Sequence, residues 1–341
     1  MAEKAHSSGS VTIFDVAAAA GVSTATVSRV ANGHPNIKPT TRKRVQDAMD
    51  ELGYVANLRA RGLAGGKTNV IGLLVDDLDS SYIAQVAKGV DRAVSIRGFD
   101  VMLATMHMRT QRSQYVHSLF NGIVDGLIVL LASGFEPYLG EVAARDFPVV
   151  LIDHAPTTRA PVVKAANTEG TTSAIEHLVG LGHRRIGFVT GFLDVDSAKK
   201  RLDAYRSCLV QLDIDVEDEL IHHGDFLADS GRKAAREFLS LAEPPTAILA
   251  SSDTEAFGVV QVARELGVDI PGDLSVVGFD DIPEAEYMNP GLTTVRQPMS
   301  DMGRMASELL MDAMSGHPLP NATVELPTEL IIRGTTGPAR T

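Results

Sequence analysis

Residues 12–32, TIFDVAAAAGVSTATVSRVAN, decide how the chain begins to fold. Thr12-Ile13-Phe14-Asp15 has the capping-box form, a hydroxyl followed three residues later by a carboxylate. A short helix over about 14–20 follows, with Val16, Ala17 and Ala20 on one face. Gly21-Val22 breaks it, and Ser23 is a good N-cap for a second helix from Thr24 to about Ala31. Val22, Val27 and Val30 supply the apolar contacts between the two. The spacing predicts a helix-turn-helix, whose second helix can enter a DNA major groove.

The pattern extends outward on both sides. Residues 1–11, beginning MAEKAHSSGS, carry no apolar run and read as a disordered tail. A third helix is predicted from about Thr40 to Leu52, with Val45, Ala48, Met49 and Leu52 at helical spacing and Arg42, Lys43 and Arg44 at its start. The unit spans 12–56. After it, 57–68 (NLRARGLAGGKT) has the pattern of a helix too short to persist alone in water. Gly62 weakens it by a further ~1 kcal/mol, so it should order only when braced.

Charge divides along the same line. The chain of 341 residues has a formal net charge of −12, yet residues 1–67 hold nine Lys/Arg against five Asp/Glu. A small basic head thus precedes a large acidic body, an arrangement suited to approaching a polyanion without sticking to it non-specifically.

The stretches at 12–32, 41–54 (TRKRVQDAMDELGY) and 60–64 (ARGLA) resemble the lactose-repressor/galactose-repressor family, and the similarity covers nearly all of 12–335. The resemblance implies that Thr24, Ala25 and Arg29 read base edges and that Ser23, Thr26, Ser28 and Asn32 touch phosphates. It also implies a hinge helix whose Leu63, beside Ala64, wedges into the minor groove. Ala25 can offer a base only a methyl contact, and Ala56 stands where many relatives have Pro. The implied partner is a pseudo-palindromic double-stranded operator, bound by a homodimer because one head reads few base pairs.

From residue 69 apolar runs alternate with helical patterns. Strands are predicted at 70–75, 100–104, 126–131, 149–152, 186–190, 246–250 and 274–278, with helices between them. Alternation of this kind implies an α/β fold of parallel sheets covered on both faces. The resemblance implies a two-lobed type I periplasmic-binding-protein-like body over 69–335. Its first lobe would hold about 69–166 plus 297–325 and its second about 167–296, with chain crossings near 165–168, 293–297 and 322–328 and a tail over 336–341.

Open α/β sheets bind ligands beyond the carboxyl ends of their strands. Those positions hold Asp76, with Tyr82 shortly beyond, then Asp153, Ser252 and Asp280. By resemblance Arg201 is the effector-binding arginine and Phe226 an aromatic wall. Carboxylates, an arginine and a ring suit a neutral polyol such as a sugar better than an anion. Asp253 and Asp281 read as caps of the helices that follow them, and Asp77 and Asp79 as solvated surface.

Enzyme chemistry finds no support. GLAGGKT (62–68) imitates a phosphate loop, but three residues separate its outer glycines where four are needed. There is no H-E-x-x-H, no G-x-S-x-G and no G-x-G-x-x-G, so no metal or cofactor is expected. His222 and His223 would face opposite sides of a strand, and His183 reads as a structural turn. The single cysteine fits a reducing cytosol, and no apolar run reaches the length of a membrane span. The sequence therefore predicts a cytoplasmic, ligand-controlled regulator of transcription, most simply a repressor released by a sugar. A purine or nucleoside stacked on Tyr82 and Phe226 is the alternative ligand. A transport-type sugar-binding protein is the alternative class, but it would have an export signal and no head.

Overall fold

A computed structural model describes residues 11–31, 34–54, 67–76, 78–106, 116–119, 122–130, 135–155, 160–317 and 323–340. Asn32, Leu63 and Ala64 lie outside the described residues. The head and the body form two separate units.

The head holds three helices, α1 (Ile13–Ala20), α2 (Thr24–Ala31) and α3 (Pro39–Leu52). The Asp15 carboxylate accepts from the Thr12 N–H at 2.8 Å and its hydroxyl at 2.7 Å, which opens α1 as the sequence predicts. Those bonds hold the carboxyl below the usual carboxylate range. Gly21 closes α1 at φ 58°, a conformation only glycine adopts without cost. The Ser23 hydroxyl then accepts from the Thr26 N–H at 3.2 Å and opens α2. The two helices meet at 103°, the geometry of a helix-turn-helix. Val16, Ala20, Val27, Val30, Val45 and Met49 close the core beneath them.

The body contains two six-stranded sheets. The first has the order β11-β5-β4-β3-β1-β2, from Val70–Val75 (β1), Asp100–Thr105 (β2), Gly126–Leu130 (β3), Val149–Ile152 (β4), Val162–Ala165 (β5) and Thr323–Leu326 (β11), all parallel. The second has the order β12-β10-β9-β8-β6-β7. Its strands are Ile186–Thr190 (β6), Ile221–His223 (β7), Ala247–Ala250 (β8), Ser275–Asp280 (β9), Thr293–Arg296 (β10) and Glu329–Ile331 (β12). Only β12 runs antiparallel there. Its central strands, like β1, β3 and β4 in the first sheet, are buried along their whole length, which is why they read as unbroken apolar runs.

Helices cover the sheets: α4 (Ser81–Ser95), α5 (Leu139–Ala144), α6 (Asn167–Gly180), α7 (Asp196–Gln211), α8 (Ala228–Leu239), α9 (Asp253–Glu265), α10 (Pro283–Tyr287) and α11 (Met299–Met314). In the first lobe α4 and α11 touch backbone to backbone. A Cβ on Gly89 would lie 2.0 Å from the Ser300 carbonyl oxygen, and one on Gly303 would lie 2.2 Å from that of Val86. The chain passes between the sheets after β5, after β10 and between β11 and β12.

The end of the chain departs from expectation. Residues 329–340 belong with the second sheet, whereas the sequence reading stopped that lobe near 296 and left 336–341 as a tail. The Thr335 hydroxyl donates to Val276 O at 2.7 Å, and the Gly337 N–H donates to Ser275 Oγ at 3.0 Å. The Ala339 N–H donates to Leu181 O at 2.9 Å. His183, between Thr246, Ser275 and the Gly337 carbonyl, ties this segment down. A run such as RGTTGPAR shows no periodicity because it is held by single backbone and side-chain bonds rather than by one face.

Candidate functional site: a cleft between the lobes and an exposed recognition helix

The carboxyl ends of both sheets supply one cavity of about 460 Å³, within the range of small-molecule sites. Asp76, Tyr82 and Asp153 reach it from the first lobe, and Arg201, Phe226, Ser252 and Asp280 from the second. The structure thus brings all seven sequence candidates to one place. It adds Gln297 at a chain crossing, Ser197 on α7, and an apolar rim of Phe192, Val195 and Leu227. Phe192 and Leu227 are each 44% exposed.

In the first lobe the Tyr82 hydroxyl donates to Asp153 Oδ2. Burial, followed by the charge of Asp153, drives the phenol well above its ordinary value. Burial also raises the Asp153 carboxyl, against the Tyr82 bond and the Arg201 charge. In the second lobe Arg201 is buried, its Nε donating to Asn167 Oδ1 at 2.8 Å and an NH group to the Ser251 carbonyl. Burial lowers its pKa, opposed by Asp280 and Asp153. Asp280 accepts from Gln297 Nε2 at 2.6 Å. Burial pushes its carboxyl up to about 7 despite Arg201 and Gln297. The pocket is therefore less anionic than a count of its aspartates suggests. Asp153 Oδ1 and Gln297 Oε1 are buried without a hydrogen-bond partner among the described residues. These two acceptors suit donors such as ligand hydroxyls.

Three pocket residues have left-handed backbones: Asp153 at φ 56°, Phe226 at 68° and Asp280 at 125°. Such conformations cost about 1–3 kcal/mol each and persist only where the surroundings enforce them. Phe226 is held from three sides. Its N–H donates to Glu255 Oε1 at 2.9 Å, its carbonyl accepts from Ser252 Oγ at 3.1 Å, and its ring lies against Gly191.

Two assignments need correction. Asp253 is not the cap of α9; Ser252 is, accepting from the Glu255 N–H at 3.1 Å. The Asp253 carboxylate is fully buried and accepts from the Ile282 N–H at 2.9 Å and from the Thr294 hydroxyl. Nor is Asp281 a cap: its carboxylate pairs with Arg296 at 2.7 Å and Arg333 at 2.6 Å. Both aspartates brace the segment that carries Asp280.

On the head, Ser23, Ala25 and Arg29 are exposed on or at the start of α2, and Thr24, Thr26 and Ser28 are half-buried. Ala25 and Arg29, four residues apart, share the outward face opposite Val27 and Val30. Ser23 and Thr26 also bond to each other through their hydroxyls at 2.9 Å.

Residues 12–57 match the family described as bacterial regulatory proteins, lacI family, and residues 175–336 match a periplasmic binding protein-like domain. Catabolite control protein A of Priestia megaterium is 34% identical over 96% of this chain and 99% of its own. The chain belongs to the lacI family. It is a DNA-binding transcription regulator with a ligand-binding body. Among solved structures, the lac repressor dimer bound to operator and the anti-inducer ONPF superposes with a TM-score of 0.82 at 30% identity, covering 96% of this regulator and 100% of that chain. The CelR–cellobiose complex gives 0.74 at 33% identity, covering 95% and 99%.

Proposed function

We propose that this regulator binds a pseudo-palindromic operator as a homodimer through α2 and the 57–68 segment, and that a neutral sugar in the interlobe cleft controls its affinity. The observation that carries the reading is the cleft itself. One buried cation, Arg201, and the polar groups of Asp153, Asp280 and Gln297 meet there beside the Phe226 ring and an apolar rim. Hydroxyls suit the polar floor, while a ring or second substituent suits Phe226, Phe192 and Leu227. The solved complexes of CelR with cellobiose and of the lac repressor with ONPF support it by likeness. On this reading the body has no catalytic role.

Because Tyr82 and Asp153 stand on one lobe and Arg201 and Asp280 on the other, a ligand touching both sets favours one degree of closure. A ligand shifts DNA affinity only through such a preference. A thermal-shift screen of the full chain against mono- and disaccharides, polyols and nucleosides tests this. A sugar at a hundredfold excess over its Kd should add about 2.7 kcal/mol of stability. Stabilisation by nucleosides alone would contradict the sugar reading.

A further inference from the structure

Glu255 occupies the first turn of α9, where a carboxylate is ordinarily solvated and favoured by the helix dipole. Here it is 0% exposed. The loop before α8 and the first turn of α8 fold over it so closely that a Cβ on Gly224 would lie 2.4 Å from Glu255 Oε1. The carboxyl meets two groups of the pocket wall, the Phe226 N–H at 2.9 Å and Ser252 Oγ at 3.4 Å, and Ser230 Oγ behind it at 3.1 Å.

Hydrogen counting decides what those contacts do. Each serine hydroxyl has a single hydrogen. Ser252 Oγ also lies 3.1 Å from the Phe226 carbonyl oxygen, and Ser230 Oγ lies 2.8 Å from that of Leu227. With the carboxyl neutral, both hydroxyls donate to these carbonyls, and the acid's own hydrogen is directed from Oε2 to Ser252 Oγ. Phe226, at φ 68°, is then held through both its N–H and its carbonyl. With the carboxyl ionised, the hydroxyls are drawn to the carboxylate, and the carbonyls of Phe226 and Leu227 lose their donors while the Phe226 N–H bond to Oε1 strengthens.

We infer that Glu255 is the positioning residue of the pocket's aromatic wall, holding Phe226 through both its N–H and its carbonyl while protonated and through the N–H alone once the proton leaves. Burial lifts this carboxyl to about 8, so the neutral form prevails at neutral pH. The Phe226 N–H and the Ser230 hydroxyl oppose the rise, Asp225 on the same loop as Phe226 reinforces it, and Arg201 on α7 opposes it. Ser230 of α8 faces the carboxyl as a neutral group. The result is a ligand site whose wall responds to mildly alkaline pH.

The inference rests on the cleft being the effector site, but its test needs neither effector nor DNA. The chain contains no tryptophan, so F226W places a single fluorescent reporter on the wall. Its emission in the full chain should change sigmoidally with a midpoint near pH 8. F226W/E255Q should lack that transition, because the amide keeps an acceptor for the backbone N–H and a donor for Ser252 at every pH. Any titration of Asp280 is common to both proteins and cancels in the comparison. Circular dichroism at each pH confirms the fold. A flat profile in F226W, or the same transition in F226W/E255Q, would overturn the assignment whatever the effector proves to be.

Discussion

The Arg201 guanidinium carbon lies 3.7 Å from the centroid of the Phe279 ring. A cation at that distance over an aromatic face, away from water, is attracted by the ring quadrupole with about 2 kcal/mol or more. The same side chain donates through Nε to Asn167, so both its plane and its fork direction are fixed before any ligand arrives. Fixed donors bind more tightly than mobile ones because less rotamer freedom is lost on binding.

Arg201→Lys keeps the charge but loses the plane and the fork. It should weaken effector binding by about 1.5–3 kcal/mol, roughly 10- to 150-fold. Operator affinity without effector should stay at the wild-type value. Calorimetric titration with the sugar found by thermal shift, alongside an operator titration, measures both.

Asp280 gives the body a pH-dependent stability of definite sign. Its carboxyl is raised to about 7 in the folded chain, so between about pH 4 and 7 the folded state holds a proton that the unfolded state has released. The Asp280 contribution to stability must therefore fall as pH rises through that window and level off above it. Asp280→Asn removes this contribution. The wild type should lose more stability than D280N between pH 5 and pH 8, by on the order of a few kcal/mol in urea unfolding. Glu255 acts with the same sign in both proteins and does not affect the difference, whereas Asp253, whose carboxyl is raised by burial and by the Asp280 charge, titrates together with Asp280 and forms part of it.

Arg29 stands exposed on the outward face of α2. If it holds a guanine edge through both guanidinium arms, Arg29→Ala should cost about 1–3 kcal/mol of operator binding and relax preference at one position in each half-site. Selection of binding sites from random DNA by the mutant reads this directly. An even loss of affinity across sequences with a flatter salt slope would mark Arg29 as a phosphate contact instead.

Much of this was legible because local chemistry and tertiary fate coincide. The head follows from Thr12, Asp15, Gly21 and Ser23, each of which forms its cap or turn with near neighbours. The central strands are long apolar runs buried on both faces. The aspartates just after β1 and β4 and at the end of β9 reach the cleft because strand ends point there. What escaped notice depends on distant chain. Val162–Ala165 is four residues long and carries Lys164, and Thr323–Leu326 pairs with it across more than a hundred and fifty residues of sequence. Asp253 looks like a helix cap until Ile282 and Thr294 arrive to share its carboxylate. Glu255 looks like a solvated first-turn carboxylate, and only the fold of residues 224–230 buries it. Gln297 offered no signal beyond its nearness to a crossing.

The claim that the cleft controls DNA binding meets its most direct test in one titration. A labelled operator is titrated with the full chain, wild type and Asp280→Asn, with and without the effector at a concentration that saturates the wild type. The two proteins should bind equally without effector. With it, the wild-type Kd should move by a factor of about 5 to 150, the usual range of allosteric coupling, while that of D280N moves much less. An unmoved wild-type Kd, in the presence of a sugar that protects the chain thermally, would contradict the account, as would an equal shift in both proteins.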